Sequence, residues 1–394
     1  MYDIDYLHNV VQKNNNSNKV KLVYNQNRVG YEFSINFNGQ ILFIPFYDLG
    51  VCVETERGFT SYNEKSKISE TLNFEFQSSL NLLNQIQLIE FRNEILNLSD
   101  RVVSCCISKI NTFDQVLILP IESETVRDVR KYCSFRMDVS IKIDDKIKTF
   151  NVDLNKYSKE DVIEKFKLIL SNNKLVKFKN KKSNVLFNTG TFGVIVHEII
   201  GHLFEEDLFR KSQNPFNIKR KFNSGFTIIE GRNQNVFSKN YNRFDDRGLE
   251  YKKSTIFYKG KFHELIVQKR RENYRSFAIP RMNCTYLDYG SHNRDYILKN
   301  IKNGILVKNI IGGYIEPDTF KVYLYINEAY KVSHGNICGI FEDFVIQSDV
   351  YTILDNEALV CEDLTFTEST CLKKDQHVNL FYGSPSVLLQ NIHF

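Results

Sequence analysis

The chain has 394 residues, 42% of them hydrophobic and 25% charged, a balance that excludes extensive disorder and allows more than one folding unit. The excess of basic over acidic side chains is only +5 and is spread along the chain, which excludes a dedicated nucleic-acid or membrane-surface binder. The densest basic runs, 177–182 and 269–271, read as solvated loop or strand-edge charge. The first residues lack the basic start and apolar run of a signal peptide. No window approaches the roughly 18 apolar residues of a membrane span. A cytoplasmic protein is therefore expected, with its eight scattered cysteines reduced, most as small buried hydrophobes and one or two as ligands.

In chain order, residues 19–24 and 30–37 alternate with a period near two and read as paired strands. Asn38-Gly39 supplies a tight turn before the apolar run 41–46. From 69 to about 98 the spacing turns helical, with Leu72, Phe76, Leu80, Leu83, Ile86 and Ile89 on one face. Strands follow at 116–120 and 134–141, and Asp144-Asp145 marks a hairpin turn. Ser158 to Asp161 resembles a capping box that opens a helix to about Leu170. The polar stretch 171–183 reads as an interdomain connection. Beyond it come a short strand at 185–187, a turn at 188–191 and an apolar helix. From Gly225 strands dominate, as at 254–258, 261–267 and 320–326. The expected class is α+β: a mixed N-terminal domain over 1–182, then a strand-rich C-terminal domain over 183–394 that carries the apolar helix.

That helix reads Gly193-Val-Ile-Val-His197-Glu198-Ile-Ile-Gly201-His202. Two neutral imidazoles and an intervening carboxylate are what a hydrolytic zinc site needs, the carboxylate taking a proton from water acidified by the metal. Histidines four apart lie about 40° from each other around a helix, whereas five apart lie about 140°. The helix must therefore bulge or end near the second histidine, and Gly201 is the residue type that makes this easy. A catalytic zinc usually takes three protein ligands. Glu205, Glu206, Asp207 and the cysteines are all candidates for the third, and local spacing does not choose among them.

At these residues the chain resembles the TldD/PmbA family of peptidases, on its metal-bearing TldD side. The stretch from Gly193 to Asp207 is similar to the family's signature helix, and Phe244-Asp-Asp-Arg-Gly248 to its Asp-Asp-x-Gly turn. Lys269-Arg-Arg-Glu-Asn-Tyr274 with Ile279-Pro-Arg-Met-Asn-Cys-Thr285 resembles its arginine-containing stretch. Ser369-Thr-Cys371-Leu-Lys-Lys-Asp-Gln376 and Gly383-Ser-Pro385 resemble its last cysteine segment. The likeness implies Zn2+ held by His197, His202 and Cys371, with Glu198 as general base. It makes Arg271 and Arg281 candidates for binding substrate or its oxyanion, and Asp207 and Asp246 candidates for orienting ligands. Two departures bear on the cleft: Leu372 replaces the family's glycine after the ligand cysteine, and Asn283-Cys284 replaces its Thr-Asn, making Cys284 an alternative ligand.

The implied activity is zinc-dependent hydrolysis of unstructured peptides, including leader segments of ribosomally made precursor peptides. The implied assembly is a dimer, either with a related TldE/PmbA-like subunit or with a second copy. The competing reading is a non-catalytic peptide-binding partner subunit of such a complex. A zinc amidase acting on a modified small molecule is a third.

Overall fold

The polar residues 25–28 interrupt the apolar alternation near the N-terminus but do not interrupt the strand. The computed structural model describes residues 20–55, 58–65, 82–120, 125–172, 174–179, 182–210, 216–231, 242–246, 248–251, 253–266, 281–373 and 376–392. The segments expected as two paired strands form one, β1 (Val20–Ile35), which pairs antiparallel with β2 (Ile41–Thr55). The turn between them is the expected Asn38-Gly39, with Gly39 at φ +81°. β3 (Gly58–Lys65), β4 (Val102–Pro120), β5 (Val126–Ile143) and β6 (Lys146–Asp153) complete an antiparallel sheet in the order β3-β2-β1-β4-β5-β6. Because β1 lies between β2 and β4, its backbone is hydrogen-bonded on both edges whatever side chains it carries. Arg28 and Gln26 both donate to Asp114 on β4, at 2.8 Å.

Helix α1 (Leu82–Leu96) occupies the described part of the expected long helix; Leu72, Phe76 and Leu80 lie outside the described residues. Its buried face is set by Phe91 and Ile95, while Ile86 is 46% exposed, so the face is rotated from the one expected. Helix α2 (Lys159–Ser171) opens on the capping box: Ser158 accepts from the Asp161 N–H, and Asp161 accepts from the Ser158 N–H. It buries Val162, Phe166 and Ile169. Ser158→Ala should cost about 1 kcal/mol, measured as a lower midpoint of urea unfolding with an unchanged slope.

The C-terminal half holds two mixed sheets. Its strands are β7 (Leu175–Val176), β8 (Ser183–Phe187), β9 (Ile228–Glu230), β10 (Ser254–Tyr258), β11 (Lys261–Phe262), β12 (Cys284–Leu287), β13 (Asn303–Glu316), β14 (Lys321–Ser333), β15 (Asn336–Phe341), β16 (Phe344–Asp349), β17 (Leu359–Val360), β18 (Thr365–Lys373), β19 (Gln376–Ser384) and β20 (Val387–Ile392). One sheet runs β17-β20-β8-β13-β14-β15-β7, with β16 added on β14; the other runs β11-β10-β9-β12-β19-β18.

Successive side chains on a strand point to opposite faces, and the first of these sheets uses both. Val185, Phe187, Ile305, Val307, Val387 and Leu389 join the core around the apolar helix. Their neighbours Leu186, Leu306 and Leu388 join a second core with Phe33, Ile107, Val139 and Phe166 of the N-terminal half. A sheet covered on both faces is coded by unbroken apolar runs rather than alternation, which is why 185–187 is apolar throughout. The sheet is the middle layer of the molecule, with the N-terminal sheet and its helices on one side and the apolar helix on the other. No helix among the described residues is long and apolar enough to cross a membrane.

Candidate active site

Helix formation begins after a turn at Asn188, with Gly190 at φ +77°. The helix is regular over Phe192–Ile195, widens to a π-helix over Val196–Gly201, and is α-helical again at His202–Phe204. The wide turn carries the His202 N–H to the His197 carbonyl, an i→i+5 bond. A spacing that would splay two histidines by about 140° on an α-helix thus brings their rings together, centroids 4.8 Å apart. The expected distortion is present, but Gly201 contributes differently from the expectation. Its backbone is ordinary right-handed helix, φ −55°. What matters is the missing Cβ, which would overlap the Met282 side chain.

Cys371 arrives from β18, 169 positions beyond His202, with its sulfur 3.4 Å from His202 Nε2. The ligating atoms of His197, His202 and Cys371 all lie within 4.8 Å of one another. On the other side of its ring, His202 Nδ1 is 3.0 Å from Glu205 Oε2. That bond assigns a proton to Nδ1 and turns Nε2 toward the sulfur. Burial works against a charged His202. Hydrogen bonds to Cys371 and Glu205 outweigh it and lift the pKa to about 10.

Glu205 is fully buried and heavily held. It accepts from Lys373 Nζ at 2.7 Å and from the Met282 N–H at 3.1 Å. Lys373 bridges on to Asp207, also at 2.7 Å. The carboxylate orienting His202 is therefore Glu205, with Asp207 one step further out through the lysine. Sequence reasoning held Glu205 only as a candidate ligand and missed Lys373. The signal for Lys373 was its place two residues after Cys371, which puts both on one face of a strand.

A cleft of about 500 Å³ opens over these groups. The wide turn lines it with His197, Glu198 and His202, β18 with Ser369 to Lys373, β19 with Tyr382, and β13 with Ile310 to Ile315. Burial pushes the Glu198 carboxyl up to about 7; His202 pulls it down and Glu205 adds to the rise. A carboxyl in that range suits proton transfer at neutral pH. β13 passes directly above it: a Cβ on Gly313 would sit 3.3 Å from Glu198 Cγ, and one on Gly312 would meet nothing. β8 covers β13 only from Gly304 to Val307. Among the described residues no strand pairs with that edge from Asn309 to Ile315.

The remaining candidates fall elsewhere. Arg281 is 2% exposed and donates to the Cys371 carbonyl at 3.0 Å, with Glu205 3.8 Å from its Nε. It braces the strand behind the site and is not among the cleft-lining side chains. Arg271 lies outside the described residues. Asp246 pairs at 2.7 Å with Arg130 of the N-terminal sheet. Cys284 is fully buried beside Ile229 and Tyr286 on β12, outside the His-His-Cys group, and burial pushes its thiol up. It is a core thiol.

The family described as PmbA/TldA metallopeptidase C-terminal domain matches residues 180–394. A metalloprotease TldD homolog of Buchnera aphidicola is 26% identical over 333 residues, covering 75% of this chain and 68% of that protein. A zinc metalloprotease TldD homolog of Saccharolobus solfataricus is 24% identical over 216 residues, 51% of this chain and 48% of that one. This chain thus spans about half the length of some relatives that it matches. In solved structures, TldE from Thermococcus kodakarensis superposes with a TM-score of 0.70 at 10% identity, covering 98% of this chain and 99% of that one. That likeness concerns the fold, and it extends over both halves, so the α+β architecture is that of TldE. With the match at 180–394 taking in the wide-turned helix and the cysteine strand that meets it, the chain belongs to the PmbA/TldD family of metallopeptidases.

Proposed function

We propose that this protein is a zinc-dependent peptidase in which His197, His202 and Cys371 hold the metal and Glu198 is the general base. The observation that carries the reading is the convergence of those three ligating atoms beside Glu198 on one cleft. The donor set fits zinc: two imidazoles and a thiolate are ordinary ligands for it and leave a fourth position open. His197 Nδ1 is a buried nitrogen with no hydrogen-bond partner among the described residues, which is costly unless something else satisfies the ring. When bound there, zinc supplies a Lewis acid for a scissile carbonyl and acidifies a water.

The chain's own residues do the rest. Glu198 takes a proton from the attacking water and returns it to the leaving nitrogen. An extended peptide pairs its backbone with the uncovered edge of β13 from Asn309 to Ile315. Gly312 and Gly313 present bare backbone there, so recognition falls on the peptide main chain, as suits unfolded peptides and precursor-peptide leaders. The working assembly on this reading is a dimer, with a related subunit or a second copy, in a cytoplasmic setting.

The test is zinc content per chain in the wild type beside His202→Ala and Cys371→Ala, followed by cleavage of unfolded peptides. About one zinc per chain, lost in both variants, together with peptide products from the wild type, is the expected result. A wild type that holds no zinc tightly would move the assignment to a non-catalytic peptide-binding subunit. Lys373→Met should leave the three ligands in place yet weaken zinc binding about 10–100-fold, measured by competition with a chromophoric chelator, because Glu205 loses the cation that fixes it.

A further inference from the structure

Tyr382 is a polar cleft side chain to which the reading above gives no task. Antiparallel pairing sets Thr367 opposite Tyr382 and Cys371 opposite Val378. Residues two apart on a strand share a face, so Ser369, Cys371 and Tyr382 stand together on the face that meets the helix. The ring lies beside His197, centroids 5.9 Å apart. It is seated against Gly193, where a Cβ would come within 2.9 Å of its Cδ2. Tyr382 and Ser369 both line the cleft with Glu198. A ring wedged between a glycine and a histidine, with Ser369 on the same face of the adjacent strand, is preset rather than recruited.

We propose that Tyr382 is a catalytic residue, the hydrogen-bond donor to the oxyanion formed as a peptide bond is hydrolysed in this cleft, with Ser369 as its positioning residue. The inference rests on the peptidase reading. In the step, the water oxygen bonds to the carbonyl carbon and the carbonyl π pair moves onto its oxygen. Glu198 accepts the water proton and delivers it to the nitrogen as the C–N bond breaks. Tyr382 donates a hydrogen bond to the carbonyl oxygen throughout and transfers no proton. Its task is greatest when that oxygen carries most charge, which is the condition for lowering a barrier rather than only binding substrate. A phenol keeps its proton throughout the neutral range, so Tyr382 is available as a donor.

The experiment uses the zinc-loaded full chain, Tyr382→Phe and Ser369→Ala, with Glu198→Gln as reference, on an unstructured peptide cleaved by the wild type. Tyr382→Phe should lower kcat about 10²-fold with little change in KM. Zinc per chain and thermal midpoint should match the wild type, and Ser369→Ala should show a smaller loss of the same kind. By calorimetry, a peptide phosphinate that mimics the tetrahedral oxyanion should bind Tyr382→Phe at least tenfold more weakly. The uncleaved peptide bound to Glu198→Gln should keep its affinity when Tyr382→Phe is added. A Tyr382→Phe protein with wild-type kcat, or one whose loss tracks missing zinc or a lower thermal midpoint, overturns the role while an inactive Glu198→Gln still supports the peptidase reading. A wild type that cleaves no peptide and binds no phosphinate overturns both.

Discussion

Glu198→Gln is expected to keep its zinc and its fold and to lose about 10²–10⁴-fold in peptide hydrolysis. The amide has nearly the shape of the carboxylate but accepts no proton from water. Glu198 makes no contribution to the His-His-Cys group itself, since the ligating atoms are those of His197, His202 and Cys371. The separation of metal binding from activity is therefore the diagnostic result. It is read by metal analysis and single-turnover cleavage on the same preparation. A Glu198→Gln protein that cleaves peptide at the wild-type rate would remove Glu198 from the mechanism and leave the site as a metal-binding element only.

The second large effect is expected from Gly201→Ala. Alanine is the best helix former, so propensity alone argues for stabilisation. Space argues the reverse and should win, because the new methyl would overlap Met282, itself fully buried. Overpacking of this kind costs about 1–3 kcal/mol. The damage also travels along a defined route: the Met282 N–H is one of the groups that fix Glu205, and Glu205 orients His202. Zinc affinity should therefore fall together with the thermal midpoint. Met282→Ala in the same chain removes the overlapping atoms and should restore part of both, a coupling expected of residues in direct contact. If Gly201→Ala alone binds zinc normally, the close approach of Met282 is not what the glycine serves.

The two histidines, the glutamate and the need for a widened helix were legible because they lie within one short segment, where spacing converts directly to angle. The hairpin turn at Gly39 and the capping box at Ser158 were legible for the same reason. Cys371 came from resemblance alone, since nothing local distinguishes a thiol that folds back over 169 residues from a buried core cysteine such as Cys284. The carboxylate that orients His202 was one of three neighbours in a row, Glu205, Glu206 and Asp207. Backbone geometry selects it: Glu205 sits in an extended conformation, φ −64° and ψ 127°, between two helical pieces, which turns its side chain back to the ring. The place of Arg281, buried behind Cys371 rather than lining the cleft, was not legible because it depends on a strand 90 residues away. The continuity of β1 was hidden because its support comes from neighbours on both sides rather than from its own pattern.

The uncovered edge of β13 has a consequence for control on the proposed reading. That edge lines one cleft with the helix and the β18–β19 hairpin, so on this reading it would accept only a chain whose own backbone bonds are already open. The rate of destruction of any protein would then scale with the fraction of its molecules unfolded at that moment. No dedicated inhibitor is needed to spare the folded proteome: each protein's own folding equilibrium sets its lifetime, and a binding partner or ligand that stabilises it lengthens that lifetime by mass action.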